Sequence, residues 1–171
     1  DQSIPPYTPK INKKVGIPIK VIRTPRELGL GMSRSLGACA ASGDIIAFID
    51  DDAVAPPNWI ESIVSSFKKY RADVVGGVCK PYYLTKRIPK WWDSKLFGKY
   101  LAVENDFITG CNFAVKSSTF KCIGFFNPRL GRIKGMLISN EEREFLMRAN
   151  MAGKKIVFDL SLIHISEPTR L

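Results

Sequence analysis

The chain has 171 residues, 45% of them hydrophobic, which is enough for one domain with a real core but short for two domains. The net charge of +10, from 26 Lys and Arg against 16 Asp and Glu, favours an anionic partner such as a nucleotide, a nucleic acid or a membrane surface. The basic residues form no compact run interleaved with aromatic residues, which argues against a single-stranded nucleic-acid binder.

The four cysteines are far apart in the sequence, with no CxxC pair and no histidine cluster. This spacing indicates neither a zinc site nor a disulfide framework, so we expect reduced, partly buried thiols. No apolar run is long enough to cross a membrane, and no signal-peptide pattern precedes the domain. We expect a soluble protein of the cytoplasm, which could also work at the inner face of the membrane.

The first forty residues predict an irregular lead-in, a short strand and a helix. Residues 1–18 contain four prolines among polar residues, which opposes a helix. Residues 19–22 are a strand candidate and residues 24–30 a connection, while residues 32–41 predict a helix that Gly43 stops. The apolar positions of this helix recur at helical spacing: Met32, Leu36, Cys39 and Ala40.

An apolar run, residues 45–49, leads directly into Asp50, Asp51 and Asp52. Such a run is typical of a strand buried on both faces of a parallel sheet, whose carboxyl edge is where open α/β sheets bind ligands. Adjacent like charges are tolerated best when a cation neutralises them, and carboxylates suit Mg²⁺ or Mn²⁺ bridging to phosphate. The alternative is an acidic loop that caps the next helix.

The next elements extend a strand–helix alternation. A helix is predicted after residues 56–58, and a strand over residues 72–79. The order β-α-β-α-β predicts a mainly parallel sheet with right-handed crossovers. The expected apolar face of the helix consists of Trp59, Ile60, Ile63, Val64, Phe67 and Tyr70.

The second half is expected to bring further residues to the same edge. Residues 80–104 predict a long segment near the active edge, and residues 107–115 a strand in which Gly110 permits close backbone approach. Residues 117–123 predict a short helix, residues 139–152 a strong helix and residues 155–159 the last strand. Residues 161–171 change in composition, so we exclude them from the fold as an extension foreign to the domain.

Glu141 and Glu142 open the strong helix and could supply a general base. The alternative is structural, because Ser139 and Glu142 have capping-box spacing and negative charge stabilises a helix N-terminus. Arg26 and Arg34 flank the glycine-bearing connection, where a guanidinium could grip a diphosphate or simply be solvated.

Trp92, with Trp91, could stack on a sugar, lie in a membrane interface or anchor a packed loop. His164 could complete a metal shell, although it lies in the atypical tail.

Seven sequence motifs follow one another along the chain: 29–37 (GLGMSRSLG), 41–52 (ASGDIIAFIDDD), 56–60 (PPNWI), 109–116 (TGCNFAVK), 124–127 (GFFN), 140–148 (NEEREFLMR) and 152–156 (AGKKI). Together they resemble the core of the family-2 glycosyltransferases with a GT-A fold, over about residues 20–160. The resemblance implies a three-layer α/β/α nucleotide-sugar transferase with one catalytic domain over residues 1–160. It also implies that the chain lacks the first strand–helix unit of that fold.

The resemblance implies inverting transfer of a sugar from a UDP-, GDP- or dTDP-sugar to a hydroxyl of a glycan or lipid-linked acceptor, as in cell-envelope polysaccharide synthesis. Asp50 and Asp52 match the ends of the DxD motif that holds Mg²⁺ or Mn²⁺, with Asp52 the direct ligand and Asp50 nearer the nucleoside. Where the family usually has a Glu-Asp pair, this chain has Glu141 and Glu142. By position Glu142 takes the role of the base, and Glu141 is its neighbour. The expected substrate-binding residues are Asp50, Asp51, Arg34, Gly110, Asn112, Arg26 and Trp92.

Two other functions fit parts of this pattern. One is a non-catalytic module that binds carbohydrate or nucleotide on the same scaffold. The other is a nucleotidyltransferase, which would also need a phosphate loop rich in glycine and lysine near its N-terminus. Nucleic acid is not expected as a partner.

Overall fold

A computed structural model describes residues 16–25, 28–51, 53–81, 108–131 and 139–166. These residues form five strands, β1 (Ile45–Ile49), β2 (Ala53–Val54), β3 (Val74–Pro81), β4 (Asn112–Lys116) and β5 (Ile156–Ser166). They also form four helices, α1 (Gly29–Ala40), α2 (Trp59–Tyr70), α3 (Ser117–Ile123) and α4 (Glu141–Met151). The α/β class is confirmed.

The strands form one mixed sheet in the order β1-β4-β3-β5-β2. Among the described strands only β3 and β5 pair in parallel, and the other three neighbouring pairs are antiparallel. The prediction of a mainly parallel sheet is therefore wrong. Strand–helix alternation predicted correctly that β1 and β3 run in the same direction, but β4, from later in the chain, lies between them.

This topology still brings the expected segments to one edge. Because β1 and β3 are both antiparallel to β4, and β5 is parallel to β3, the carboxyl ends of β1, β3 and β5 share an edge with the start of β4. Ile49 is paired with Asn112, so the residues after β1 and those before β4 are neighbours. Asp50 and Gly110 thus meet at the edge predicted for ligand binding.

Helices pack on both faces of the sheet. On one face Ala38 of α1, Phe120 of α3 and Phe145 of α4 pack with Phe113 and Val115 of β4. Aromatic rings dominate this core: Phe48 stacks on Phe113 with ring centroids 4.7 Å apart. On the other face Trp59, Ile63 and Phe67 of α2 pack on Val75 and Ala114. The expected apolar face of α2 is therefore largely correct, although Ile60 is 59% exposed.

Three local predictions are wrong. Residues 19–22 form no strand. Helix α1 begins at Gly29, within the expected connection, and its buried residues are Gly29, Gly31, Arg34, Ser35 and Ala38. The predicted helical spacing is correct, but the buried face of the helix includes the charged residue Arg34. Arg34 can be buried because ion pairs compensate its charge. Strand β1 is only partly buried, since among the described strands it has β4 as its one neighbour.

The last strand is longer than expected. Strand β5 continues through Ser166, so residues 161–166 of the tail excluded above belong to the sheet. Of these, residues 163–166 pair with residues 78–81 of β3, after a register shift between Gly77 and Val78. Within the described part of the chain, no helix has the length and apolarity that a membrane span requires.

Candidate functional site

Arg34 links three segments that are distant in the sequence. Its Nη2 donates to Asp50 Oδ1 at 2.9 Å and to the Gly110 carbonyl at 3.0 Å, and its Nη1 donates to Glu141 Oε1. The planar guanidinium presents several donors in fixed directions, which lets one side chain serve all three acceptors. The Arg34 guanidinium therefore joins the end of β1, the turn before β4 and the start of α4.

Close backbone packing holds this arrangement. A Cβ at Gly31 would lie 2.9 Å from the Leu130 carbonyl, and a Cβ at Gly131 would lie 2.9 Å from the Gly31 nitrogen. Gly131 also has φ +96, a conformation that glycine adopts readily. Only residues without a side chain let the first turn of α1 approach the 127–131 loop this closely.

Gly110 has the same role at the turn before β4. A Cβ there would lie 2.6 Å from Arg34 Nη1 and 2.9 Å from Arg34 Cζ. The guanidinium is held by three acceptors, so moving it aside would break these hydrogen bonds. The close approach predicted for this glycine is therefore an approach to Arg34.

The ion pairs of Arg34 differ in burial. The side chains of Arg34 and Glu141 are 8% and 3% exposed, whereas that of Asp50 is 39% exposed. Removing one partner of a buried pair leaves an uncompensated charge and typically costs about 3–5 kcal/mol. An ion pair exposed to solvent is worth about 0–1 kcal/mol. The Arg34–Glu141 pair therefore matters most for the folded structure, and the carboxylate of Asp50 remains accessible from solvent.

Glu142 is the second residue of α4 and is half-buried next to Glu141. Burial has the largest effect and raises the pKa of Glu142; the neighbouring Glu141 charge raises it further, against a backbone hydrogen bond and the Arg34 charge. A carboxylate with a raised pKa is a stronger base. The Ser139–Glu142 capping box is not formed, because the N-cap residue is Asn140, whose side chain makes no cap hydrogen bond.

The carboxylates after β1 have the chemistry of a hard-cation site. Asp50 and Asp51 offer oxygen ligands of the kind that Mg²⁺ and Mn²⁺ prefer, and Asp51 is exposed. Within the described ranges no three His, Cys, Asp or Glu side chains come together to hold a metal ion. Asp50 already accepts a hydrogen bond from Arg34. A cation bound here would therefore need other groups to complete its ligand shell. Asp52, Arg26 and Trp92 lie outside the described residues, so their expected roles stay predictions.

Asn112 lies on the other face of the sheet from the Arg34 network. Its Oδ1 accepts from Trp59 Nε1 at 2.9 Å, and its Nδ2 donates to the carbonyls of Val78 and Leu162 at 3.0 and 2.9 Å. With 1% of its surface exposed, the amide joins α2, β3 and β5. In this arrangement its polar atoms face other protein groups.

Two features of this region differ from the expectations based on sequence. Arg34 is expected at a phosphate or in solvent, although the small residues Gly31, Ser35 and Ala38 on the same helix face are a signal of close packing around it. The cysteines are expected to be separate and partly buried. All four are free, but Cys39 and Cys122 are exposed, while Cys79 and Cys111 lie in contact. No spacing signal predicts that contact, since it depends on strand pairing.

Comparison with known proteins gives consistent matches. A family model described as glycosyl transferase family 2 matches residues 1–133. The glucosyl-dolichyl phosphate glucuronosyltransferase of Haloferax volcanii is 29% identical over an alignment of 143 residues, which covers 77% of this chain and 45% of that protein. The chain thus spans less than half the length of this relative.

Two solved structures have the same fold. A mannosyltransferase from Pyrobaculum calidifontis, in complex with GDP-Man and Mn²⁺, has a TM-score of 0.60 at 18% identity, covering 88% of this chain and 39% of that one. GalNAc-T7 with UDP, GalNAc and Mn²⁺ has a TM-score of 0.63 at 21% identity, covering 86% of this chain and 32% of that one.

Proposed function

Since the chain belongs to glycosyl transferase family 2, we propose that it transfers a sugar from a nucleotide-sugar donor to an acceptor hydroxyl with inversion. The observation that carries this proposal is the Arg34 network, which ties Asp50, at the end of β1, to Glu141, the neighbour of Glu142. Two carboxylate groups with different environments then lie on either side of one guanidinium. Such a pair suits a reaction that needs charge neutralisation at the leaving group and a base at the nucleophile.

Glu142 is the base in this proposal. It accepts the proton of the acceptor hydroxyl as that oxygen attacks the anomeric carbon, and no covalent sugar–enzyme intermediate is needed. Its raised pKa strengthens it as a base. Glu141, next to Glu142, is paired with Arg34. This difference in pairing supports the proposed split of roles between the two glutamates.

Asp50, Asp51 and Asp52 form the donor side. Asp52 would be the direct ligand of Mg²⁺ or Mn²⁺, with Asp50 contributing from its accessible side and lying nearer the nucleoside. When bound, the cation offsets the negative charge that grows on the leaving diphosphate. Arg34 holds Asp50 in place through the 2.9 Å ion pair. The Mn²⁺ and the GDP- or UDP-containing ligands of the two structural matches support this donor class.

A glycan or a lipid-linked saccharide is the proposed acceptor. The Haloferax relative is by its name a transferase for glucosyl-dolichyl phosphate, which supports a lipid-phosphate carrier. The chain's net charge of +10 suits both such an acceptor and the anionic surface of a cytoplasmic membrane leaflet.

A donor panel tests the reaction class. The chain is incubated with UDP-, GDP- and dTDP-sugars, Mn²⁺, and glycan or lipid-linked acceptors, and nucleotide release is followed. We expect release with at least one donor that stops when the cation is chelated. Release of sugar 1-phosphate in place of nucleoside diphosphate would indicate a nucleotidyltransferase. Binding of a nucleotide-sugar without turnover for any acceptor would favour the non-catalytic module.

Glu142→Gln tests the base assignment. We expect about a 10²–10⁴-fold loss of turnover, the usual contribution of a general base, with donor binding retained. Because only the ionised carboxylate accepts a proton, activity should fall as the pH decreases through a pKa above the ordinary value of 4.5. The matched control is Glu61→Gln on the exposed side of α2, which should change neither quantity. Unchanged turnover in Glu142→Gln would place the base elsewhere.

A further inference from the structure

Two cysteines 32 residues apart in the sequence meet beside the Arg34 network. Cys79 Sγ and Cys111 Sγ lie 2.7 Å from each other. Thr109 Oγ1 lies 3.1 Å from Cys79 Sγ and 3.4 Å from Cys111 Sγ. A disulfide bond has an S–S length of about 2.05 Å, so only a small displacement separates these thiols from a covalent bond. The reaction proposed above gives these thiols no role.

The two thiols differ in accessibility. Cys79 is in β3 and is 2% exposed. Cys111 lies on the turn between Gly110 and β4 and is partly exposed. A reagent from solvent therefore meets Cys111 before it meets Cys79.

The environment of Cys111 also favours its thiolate. The Cys79 S–H and the Thr109 hydroxyl can both donate to the Cys111 sulfur, and these hydrogen bonds lower the pKa of Cys111 although burial opposes them. The same contact and burial raise the pKa of Cys79. The thiolate is the nucleophile in disulfide exchange, so Cys111 is suited to attack and Cys79 to resolve.

We propose that Cys79 and Cys111 form one redox-active dithiol, a modification site that small-molecule disulfides such as glutathione disulfide convert to an intramolecular disulfide. In the first step Cys111 thiolate attacks one sulfur of the reagent, the reagent's S–S bond breaks, and one glutathione thiolate leaves. In the second step Cys79 gives its proton to a departing thiolate and attacks Cys111 Sγ, releasing the second glutathione. The protein loses two electrons and two protons, and the reagent becomes two thiols.

The chain provides its own controls. Cys39 on α1 and Cys122 on α3 are exposed free cysteines, so they can form mixed disulfides with glutathione. The double variant Cys39→Ser/Cys122→Ser removes them and leaves two of the four cysteines. Any disulfide formed within a monomer of this variant must join Cys79 and Cys111.

The test incubates this double variant with glutathione disulfide, then quenches, unfolds and alkylates it before intact-mass measurement. We expect a monomer that has lost two hydrogens and carries no alkyl or glutathionyl group. Reduction with dithiothreitol should restore two alkylated thiols. Adding Cys79→Ala to the same background should stop the reaction at Cys111 carrying one glutathionyl group, because the resolving thiol is gone. Circular dichroism before and after treatment checks that each variant is folded.

Two results would overturn the proposal. One is a double variant whose two thiols stay alkylatable under conditions that glutathionylate Cys39 and Cys122 in the unsubstituted chain. The other is a double variant that gains two glutathionyl groups, since the thiols would then be reacting independently.

Discussion

Replacing Arg34 with methionine should destabilise the protein more than any ordinary surface substitution. Methionine keeps much of the side-chain length and apolar volume but removes the positive charge and every hydrogen-bond donor. Glu141, 3% exposed, is then left as a buried charge without its cation. Breaking a buried pair from one side typically costs about 3–5 kcal/mol, which corresponds to a fall in Tm of about 6–20 °C for a domain of this size.

Two further variants separate charge from packing. Arg34→Met/Glu141→Gln removes both buried charges and should recover part of the loss, because replacing a whole buried pair is often nearly neutral. Lys116→Met breaks the Lys116–Asp73 ion pair, whose side chains are 37% and 27% exposed, and should cost no more than about 1 kcal/mol.

The measurement is the free energy of unfolding from urea titrations. If Arg34→Met costs no more than Lys116→Met, or if the double variant is less stable than Arg34→Met alone, the buried ion pair is not what makes Arg34 important.

Three other changes probe the parts around this network. Gly110→Ala introduces a Cβ that would lie 2.6 Å from Arg34 Nη1 and should cost about 1–3 kcal/mol. Gly37→Ala, in an open part of α1, should instead stabilise by about 0.5–1 kcal/mol, and equal unfolding energies would contradict the close approach. Phe145→Ala removes a ring that is 0% exposed and should cost about 3–5 kcal/mol, whereas Met147→Ala at an exposed position should stay within about 0.5 kcal/mol. Burial acts most strongly on Asp73 and would raise its pKa, but hydrogen bonds from Lys155 N–H and Lys116 lower it below 3.8. This stabilisation is therefore present above pH 3.8 and is lost as the pH falls through the lower, folded-state pKa. Asp73→Asn should flatten that acid limb of Tm against pH, and parallel curves for the two proteins would show that Asp73 is not responsible.

Local patterns predicted most of the elements. Helix α2 follows from an apolar spacing and the preceding prolines, and α4 (Glu141–Met151) lies within the predicted range of residues 139–152. These elements depend on the residues within one or two turns, so the sequence around them contains the needed information. Placing the aspartates at the end of a strand, and Gly110 at a close approach, succeeded for the same reason.

The order and direction of the strands could not be predicted in this way. The apolar run of β1 would look the same beside a parallel or an antiparallel neighbour, because side-chain burial does not encode the direction of the partner strand. Which strand lies beside β1 depends on contacts with β4, which is more than sixty residues away. The error in sheet type comes from that missing information.

The sequence by itself determined which residues could do chemistry, namely the aspartates after β1 and the two glutamates that open α4. Only the tertiary structure decided how these groups are paired: Arg34 neutralises Glu141 and holds Asp50, and Cys79 meets Cys111. A charge is stable in the interior only beside its partner, and that partner is supplied by a distant part of the chain. The physical role of Arg34 therefore emerges only when α1, β1 and α4 are packed together.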